Sequence, residues 1–309
     1  MSEVRSRRTR SRSPGLRRSK ARFVLFSLVP ALALYVLFMV YPTFNVFRMS
    51  LYKWSGFSAR RAFVGLSNFT TLLQDEQFIR AFENTVLLLV LVTIATMASA
   101  LFLAALMTRV PIAGRDVYRF ILYIPNVLSI VVIAAIFSAV YDQDDGLLNG
   151  TLRALSLGWM EHSWLGDQSI IIFMIGVAML WQSVGYYMVM YMAGMSNIPD
   201  SLYEASAIDG ASAVQQFFSV TLPLVWTNIR TTLTFFIMSS VNLSFVLVTA
   251  MTGGGPDGAS EVLLSYMYKQ AFTNSTYGYG MAIGVVIFAF SFVLSLIVNQ
   301  VTKREEYQF

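Results

Sequence analysis

Phe23 to Pro42 reads FVLFSLVPALALYVLFMVYP, an uncharged run that matches the roughly 20 helical residues needed to cross a hydrocarbon core of about 30 Å. Its basic flank resembles a secretory signal, but the run is long for one and no small-residue cleavage site closes it. The stretch therefore reads as a retained membrane helix. Further along the chain, comparable runs lie within Thr85 to Met107, Phe120 to Val140, Ser169 to Met195, Leu224 to Thr249 and Met281 to Val298. The expected fold is an all-α membrane protein with six transmembrane helices. A β-barrel would need short segments that alternate apolar and polar residues, and neither Val86 to Val92 nor Ile130 to Ala135 alternates. Pro30 and Pro125 predict bends within their spans, and Gly176, Gly185 and Gly284 predict close helix approach.

Composition agrees. Of 309 residues, 56% are hydrophobic and 13% charged, with a mean hydropathy of +0.61, values foreign to an ordinary soluble domain. The net charge of +5 would suit a nucleic-acid partner, yet nine of the 22 basic residues lie between Arg5 and Arg22, so the charge is local and no nucleic acid is expected. Without cysteine there is no disulfide framework, thiol nucleophile or Cys-ligated metal, and His162 is the single imidazole. Asp142, Asp144 and Asp145 cluster but lack the ligand series of a calcium loop. No catalytic, cofactor-binding or metal-binding residue is expected in this chain.

An even number of spans puts both termini on one side. With the arm, Arg109, Arg115, Arg119, Arg230, Lys303 and Arg304 placed in the cytoplasm, 15 basic residues lie inside and seven outside, the bias of the positive-inside rule. The chain then divides into a basic cytoplasmic arm (1–22), one membrane domain (23–300) and a cytoplasmic tail (301–309). Leu51 to Arg80, Tyr141 to Asp167 and Thr252 to Gly280 face outward and are long enough to carry a docking surface.

Between spans four and five, Asn197 to Leu224 reads NIPDSLYEASAIDGASAVQQFFSVTLPL. Asp200 or Ser201 can cap a short helix, and Gly210 permits a turn. Val214, Phe217 and Phe218 recur at helical spacing and suit a partner's groove, while Pro223 marks the start of the next span. A helix lying on lipid is the competing reading. Such helices usually carry a basic polar face, whereas Asp200, Glu204 and Asp209 make this one acidic.

The segment resembles the EAA loop of binding-protein-dependent ABC importer permeases, in which Glu-Ala-Ala, three residues, Gly and nine residues precede Ile-x-Leu-Pro. Here Glu204-Ala205-Ser206 precedes Gly210, and Val220-Thr221-Leu222-Pro223 follows at the matching interval. Ser206 for Ala and Val220 for Ile are mild departures. Gly65-Leu66-Ser67-Asn68-Phe69, Asn84-Thr85, Ile124-Pro125, Ile208-Asp209-Gly210-Ala211 and Thr252-Gly253-Gly254-Gly255-Pro256 are similar to the carbohydrate-importer branch. The resemblance implies half of a pore in a bacterial or archaeal cell membrane. A second, similar permease would complete it, two cytoplasmic ATPase subunits would bind ATP and Mg, and an extracytoplasmic binding protein would deliver the sugar. Loop 198–223 would be a cytoplasmic coupling helix, with Glu204, Ala205, Asp209, Gly210, Phe217, Phe218, Leu222 and Pro223 engaging an ATPase cleft. No Walker A pattern occurs in this chain, so ATP hydrolysis belongs to the partner.

Trp181, Gln182, Ser183, Tyr186, Ser240 and Asn242 supply aromatic faces and hydrogen-bonding groups within spans. Polar groups are costly in hydrocarbon unless they face a pore or a partner, so these six are the expected solute pathway; interhelical hydrogen bonding is their alternative role. The competing functions are a permease for a phosphorylated polyol or compatible solute, and a membrane assembly or receptor component that transports nothing.

Overall fold

The computed structural model describes residues 14–303, with side chains from Phe23 onward. The arm before Pro14 and the tail from Arg304 lie outside the described residues. Helix α1 (Pro14–Tyr35) runs through Pro30 and loosens into a π-helical stretch, Val36–Val40, before α2 (Tyr41–Met49). A short antiparallel ribbon, β1 (Tyr52–Lys53) with β2 (Ala62–Phe63), and α3 (Ser67–Leu72) lead to the long α4 (Glu76–Arg109). Then come α5 (Arg115–Val127), α6 (Ile130–Val140), α7 (Leu147–Ala154) and α8 (Ile171–Met195). Three short helices, α9 (Asp200–Ile208), α10 (Ala213–Gln216) and α11 (Leu222–Leu224), precede α12 (Trp226–Met251), α13 (Leu263–Tyr268) and α14 (Tyr277–Val301).

Among the described residues five helical segments are long and apolar enough to cross a membrane: Phe23–Met49, α4, α8, α12 and α14. The expected third span, Phe120 to Val140, is corrected: it is not one helix but α5 and α6, bent by 101°. The count reaches six only if this pair crosses as one broken span. Pro125 lacks the amide that would bond one turn back, and Leu128 and Ser129 both turn to extended backbone (ψ 147° and 139°). Two consecutive extended residues end one helix and re-aim the next.

The main core lies where α4, α8 and α12 meet and α6 joins them, with Val92, Ile133, Ile175, Met179, Tyr191 and Leu247 fully buried. Without a hydrophobic drive in lipid, small residues set how closely helices pack. A Cβ on Gly185 would stand 1.9 Å from the Leu122 carbonyl oxygen, so α5 can lie on α8 only because that position is glycine. Gly176 is less demanding, its Cβ meeting Val92 Cγ2 at 3.4 Å. The first span packs only through its last turns, where Val46 faces Gly284 and Phe47 meets Phe288 edge-on at 5.4 Å; every residue from Phe23 to Phe44 is exposed on this chain.

A second cluster, Leu72, Phe78, Ala81, Leu263, Tyr266, Ala282 and Ile283, closes the end of the bundle that carries the hairpin. At about 1.5 Å per residue the 34-residue α4 is ~51 Å long and projects into this cap. Asp75 is its N-cap, accepting from the Gln77 and Phe78 amides through Oδ1 (3.0 and 3.2 Å). Its Oδ2 accepts from the Tyr266 and Tyr279 hydroxyls (2.6 and 2.5 Å). Partial burial opposes ionisation of Asp75, but these four hydrogen bonds outweigh it and hold the carboxyl below its ordinary value. Asn68 donates to the Ser50 and Tyr52 carbonyls, and Asn84 to those of Ala259 and Glu261. The Thr85 hydroxyl accepts from the Leu263 amide at 2.9 Å. The Asn68 and Asn84-Thr85 motifs are thus staples that fasten the loops at this end of the bundle to α3 and α4.

The loop from Thr252 is shaped around a buried carboxylate. Glu261 is 4% exposed, accepts from Ser265 at 2.5 Å and pairs with Lys269 at 3.6 Å. Gly254 has φ +87°, and a Cβ there would fall 2.4 Å from Glu261 Oε2. In the neighbouring loop Asp167 accepts from the Ser169 hydroxyl and amide and contacts His162 Nε2 at 2.6 Å. Those Ser169 bonds, with His162 beside them, bring its carboxyl down to about 2. Asp142 accepts the amides of Asp144 and Asp145, so the acidic cluster is a turn organised by its first member.

Candidate coupling surface and solute pathway

At the opposite end, α9 to α11 build a compact projection. The expected cap at Asp200 or Ser201 is corrected: Pro199 holds the N-cap position without a side-chain bond, and Asp200 begins the helix. Its carboxylate is drawn instead to Arg109 at the end of α4, 3.4 Å away. Helix α9 ends in a Schellman turn, with the Gly210 amide bonded to the Ala207 carbonyl and that of Ala211 to Ser206 (both 3.0 Å). Gly210 has φ +81° with open space where a Cβ would go; its requirement is conformational, not steric. Ser212 then starts α10 with a capping box, its hydroxyl on the Gln215 amide and the Gln215 side chain on the Ser212 amide.

Tyr203 holds the projection together. Its ring is 4% exposed and its hydroxyl bonds Thr221 Oγ1 at 2.9 Å. Its carbonyl accepts from Ser206 and Gln216, and the Arg109 guanidinium covers the ring face. Neither Tyr203 nor Arg109 stands out in the sequence as a member of this surface; Arg109 reads there only as a topology charge. Their partners lie 18 and 94 positions away, and no local spacing reports such a contact.

With Tyr203 turned inward, Glu204, Ala205, Asp209 and Gly210 lie on the outer surface. The two phenylalanines divide. Phe218 is exposed, whereas Phe217 is half-buried against the main core with its ring edge-on to Phe218 at 5.1 Å. Leu222 also packs on the core, and Pro223 is half-buried. Within α9 to α11 and their turns the most exposed apolar side chain is Ile208, at 87%, followed by Val214. Asp209, Gly210, Ala211, Gln215, Phe218 and Ser219 line a shallow open groove.

The six pathway residues also separate. Ser183 and Ser240 are buried, bonding to Gln182 Oε1 and the Ile237 carbonyl, so both serve packing in this structure. Trp181, Tyr186 and Asn242 are exposed and Gln182 is partly so. Trp181 rests edge-on against Phe137, and Tyr186 against Tyr187. The α8 and α12 surfaces thus keep aromatic and amide groups open, while the hydroxyls point into helix seams.

A bundle of long apolar helices with a folded, partly apolar projection between two of them defines a multi-span membrane protein. Residues 100–307 match the family described as "Binding-protein-dependent transport system inner membrane component", and the chain belongs to that family of ABC transporter permeases. It is 38% identical over 274 residues to the probable ABC transporter permease protein YurN of Bacillus subtilis (87% of this chain, 92% of the relative). It is 33% identical over 291 residues to the diacetylchitobiose uptake system permease protein NgcF of Streptomyces coelicolor (91% and 82%). Its fold is similar to a chain of a bacterial alginate ABC transporter crystallised in complex with alginate pentasaccharide-bound periplasmic protein, with a TM-score of 0.81, 24% identity and coverage of 92% and 96%. As in the rest of this family, the chain is the non-catalytic permease component.

Proposed function

We propose that this chain forms half of the translocation pathway of an ATP-driven importer that accepts a sugar from an extracytoplasmic binding protein. The observation carrying this reading is the projection itself: an acidic short helix, α9, turned at Gly210 into an uncharged one, α10, with Ile208, Val214 and Phe218 uncovered. Such a surface suits a protein cleft better than an anionic lipid surface. In this reading both termini and loop 198–223 are cytoplasmic, and the loop seats in one of two ATPase subunits that bind ATP and Mg. Glu204 supplies a polar contact, Ala205 a close approach, and Asp209 with Gly210 the turn. Phe218 enters the cleft with Ile208, while Phe217, Leu222 and Pro223 carry the displacement toward α12. A second, similar permease completes the pore, and ATP binding favours one arrangement of the pair, hydrolysis the other. The NgcF relative supports a sugar as cargo, as do the amide and aromatic groups left open at Trp181, Gln182, Tyr186 and Asn242.

The test is uptake of a labelled sugar panel by vesicles holding the complete complex, with binding protein outside and ATP inside. ATP-dependent accumulation of one sugar supports the reading and names the cargo. Accumulation of a phosphorylated polyol and no sugar overturns the sugar assignment, and no uptake of any solute by an intact, ATP-hydrolysing complex overturns transport.

A further inference from the structure

A line of aromatic rings runs from the membrane helices to the outer hairpin. Phe245 on α12 meets Tyr268 at 5.9 Å between ring centres, Tyr268 meets Phe272 at 5.0 Å, and Phe272 meets Tyr277 at 6.1 Å. Tyr277 meets Trp54 at 5.1 Å, and the Arg61 guanidinium lies over the Trp54 ring at 4.4 Å. These residues come from four separate parts of the chain. Each contact falls within the 4.5–7 Å range of favourable ring pairs, so the rungs support one another. The two ends are anchored: Phe245, Tyr277 and Trp54 are half-buried, and the Trp54 indole donates to the Ser58 carbonyl. The middle is open. Tyr268 is 49% exposed and Phe272 52%, beside the exposed polar run Thr273, Asn274 and Ser275.

Three observations argue that this line faces the solute and not lipid. Its inner end lies one helical turn beyond Asn242, on the same side of α12. Asn242, Ser239 and Thr249 are all exposed on that helix, and an amide exposed on a membrane helix is expensive unless it borders water or a partner. Open rings flanked by hydroxyl and amide groups also match what a sugar needs, an apolar face to stack on and polar partners at its rim. Finally, the two open rings, 5.0 Å between centres, continue at both ends into half-buried rings, so the aromatic surface is longer than a single sugar.

The geometry points to Tyr268 and Phe272 as stacking platforms for an oligosaccharide, guiding successive sugar rings from the outer hairpin at Trp54 to the α12 surface at Asn242. This rests on the sugar-import reading above and narrows its cargo to chains of linked sugars. The competing occupant is the second permease, which would bury the same rings as a subunit contact.

The test compares initial uptake of a labelled disaccharide and tetrasaccharide of one chito-oligosaccharide series by the reconstituted complex, each well below its saturating concentration so that the rates report kcat/KM. Tyr268→Leu and Phe272→Leu keep apolar bulk but remove the ring, and Phe272→Trp keeps a ring. Removing a ring should lower the tetrasaccharide to disaccharide rate ratio by about twofold to thirteenfold, from about 0.5–1.5 kcal/mol per ring contact, and Phe272→Trp should preserve it. An unchanged ratio in a parent that imports both sugars overturns the ladder alone. Dissociation of the permease pair in the Leu variants also overturns it, by assigning the rings to the subunit contact. Failure of the parent to import any sugar overturns the sugar reading and the ladder with it.

Discussion

The guanidinium of Arg109 stands 3.3 Å from the centre of the Tyr203 ring while its Nη1 lies 3.4 Å from the Asp200 carboxylate. One side chain at the end of α4 thus grips the projection twice, through its planar face and through its charge. The other end of α4 is held by Asp75 beneath two tyrosines. A single helix therefore joins the proposed ATPase-facing surface to the outer cap.

Arg109→Ala is expected to leave the complex assembled and hydrolysing ATP but to reduce uptake severalfold. Arg109→Lys should rescue only part, because an ammonium keeps the charge and loses the planar stack. A double-mutant cycle of Arg109→Ala with Tyr203→Leu, read by thermal unfolding, should give a coupling of about 1 kcal/mol. Strictly additive effects would show that the stack contributes nothing.

At Gly210 the obstacle to substitution is the positive φ, since nothing lies where a side chain would go. Gly210→Ala should cost about 1 kcal/mol locally and Gly210→Val more, because a branched Cβ tolerates that backbone region least. Uptake relative to ATP hydrolysis should fall in the order Gly, Ala, Val. Equal coupling in all three would refute a role for the turn.

Two glycines of α8 should behave differently. A methyl at Gly185 would strike the Leu122 carbonyl, whereas one at Gly176 meets Val92 Cγ2 and Leu88 Cδ2 at van der Waals distance. Gly185→Ala is expected to abolish accumulation of folded protein or lower its unfolding midpoint sharply, and Gly176→Ala to change it little. Similar midpoints for the two variants would contradict the α5 to α8 packing.

Acid should loosen the outer cap. Asp75 is held below the ordinary carboxylate value in the folded chain, so its contribution is complete above the unfolded value of about 3.9. It is lost as pH falls through the lower folded value. Asp167, at about 2, adds a loss in the same window. Unfolding midpoints should drop below about pH 4 in the parent, less steeply in Asp75→Asn, and least in the double variant with Asp167→Asn. An unaltered slope in both would dissociate these carboxylates from stability.

The spans were legible because an uncharged run of membrane length has few other uses, and the turn at Gly210 because its spacing is distinctive. The bend between α5 and α6 was not, since average hydropathy is blind to two extended residues inside an apolar run. Pro125 is its one local sign, and a proline predicts a bend without giving its angle. The serines at 183 and 240 look identical to pore residues in sequence; only packing reveals that they face helix seams. Arg109, Tyr203 and the aromatic rungs depend on contacts between distant segments, which periodicity does not encode.

The 101° elbow at Leu128 and Ser129 changes what this region can do mechanically. A straight rod tilts as one piece, so a push at one end must appear at the other. Here α5 rides on α8 through the Gly185 contact, while α6 packs with α12. The elbow therefore lets one stretch of chain serve two neighbours, wrapping from the α8 face to the α12 face as a straight rod could not.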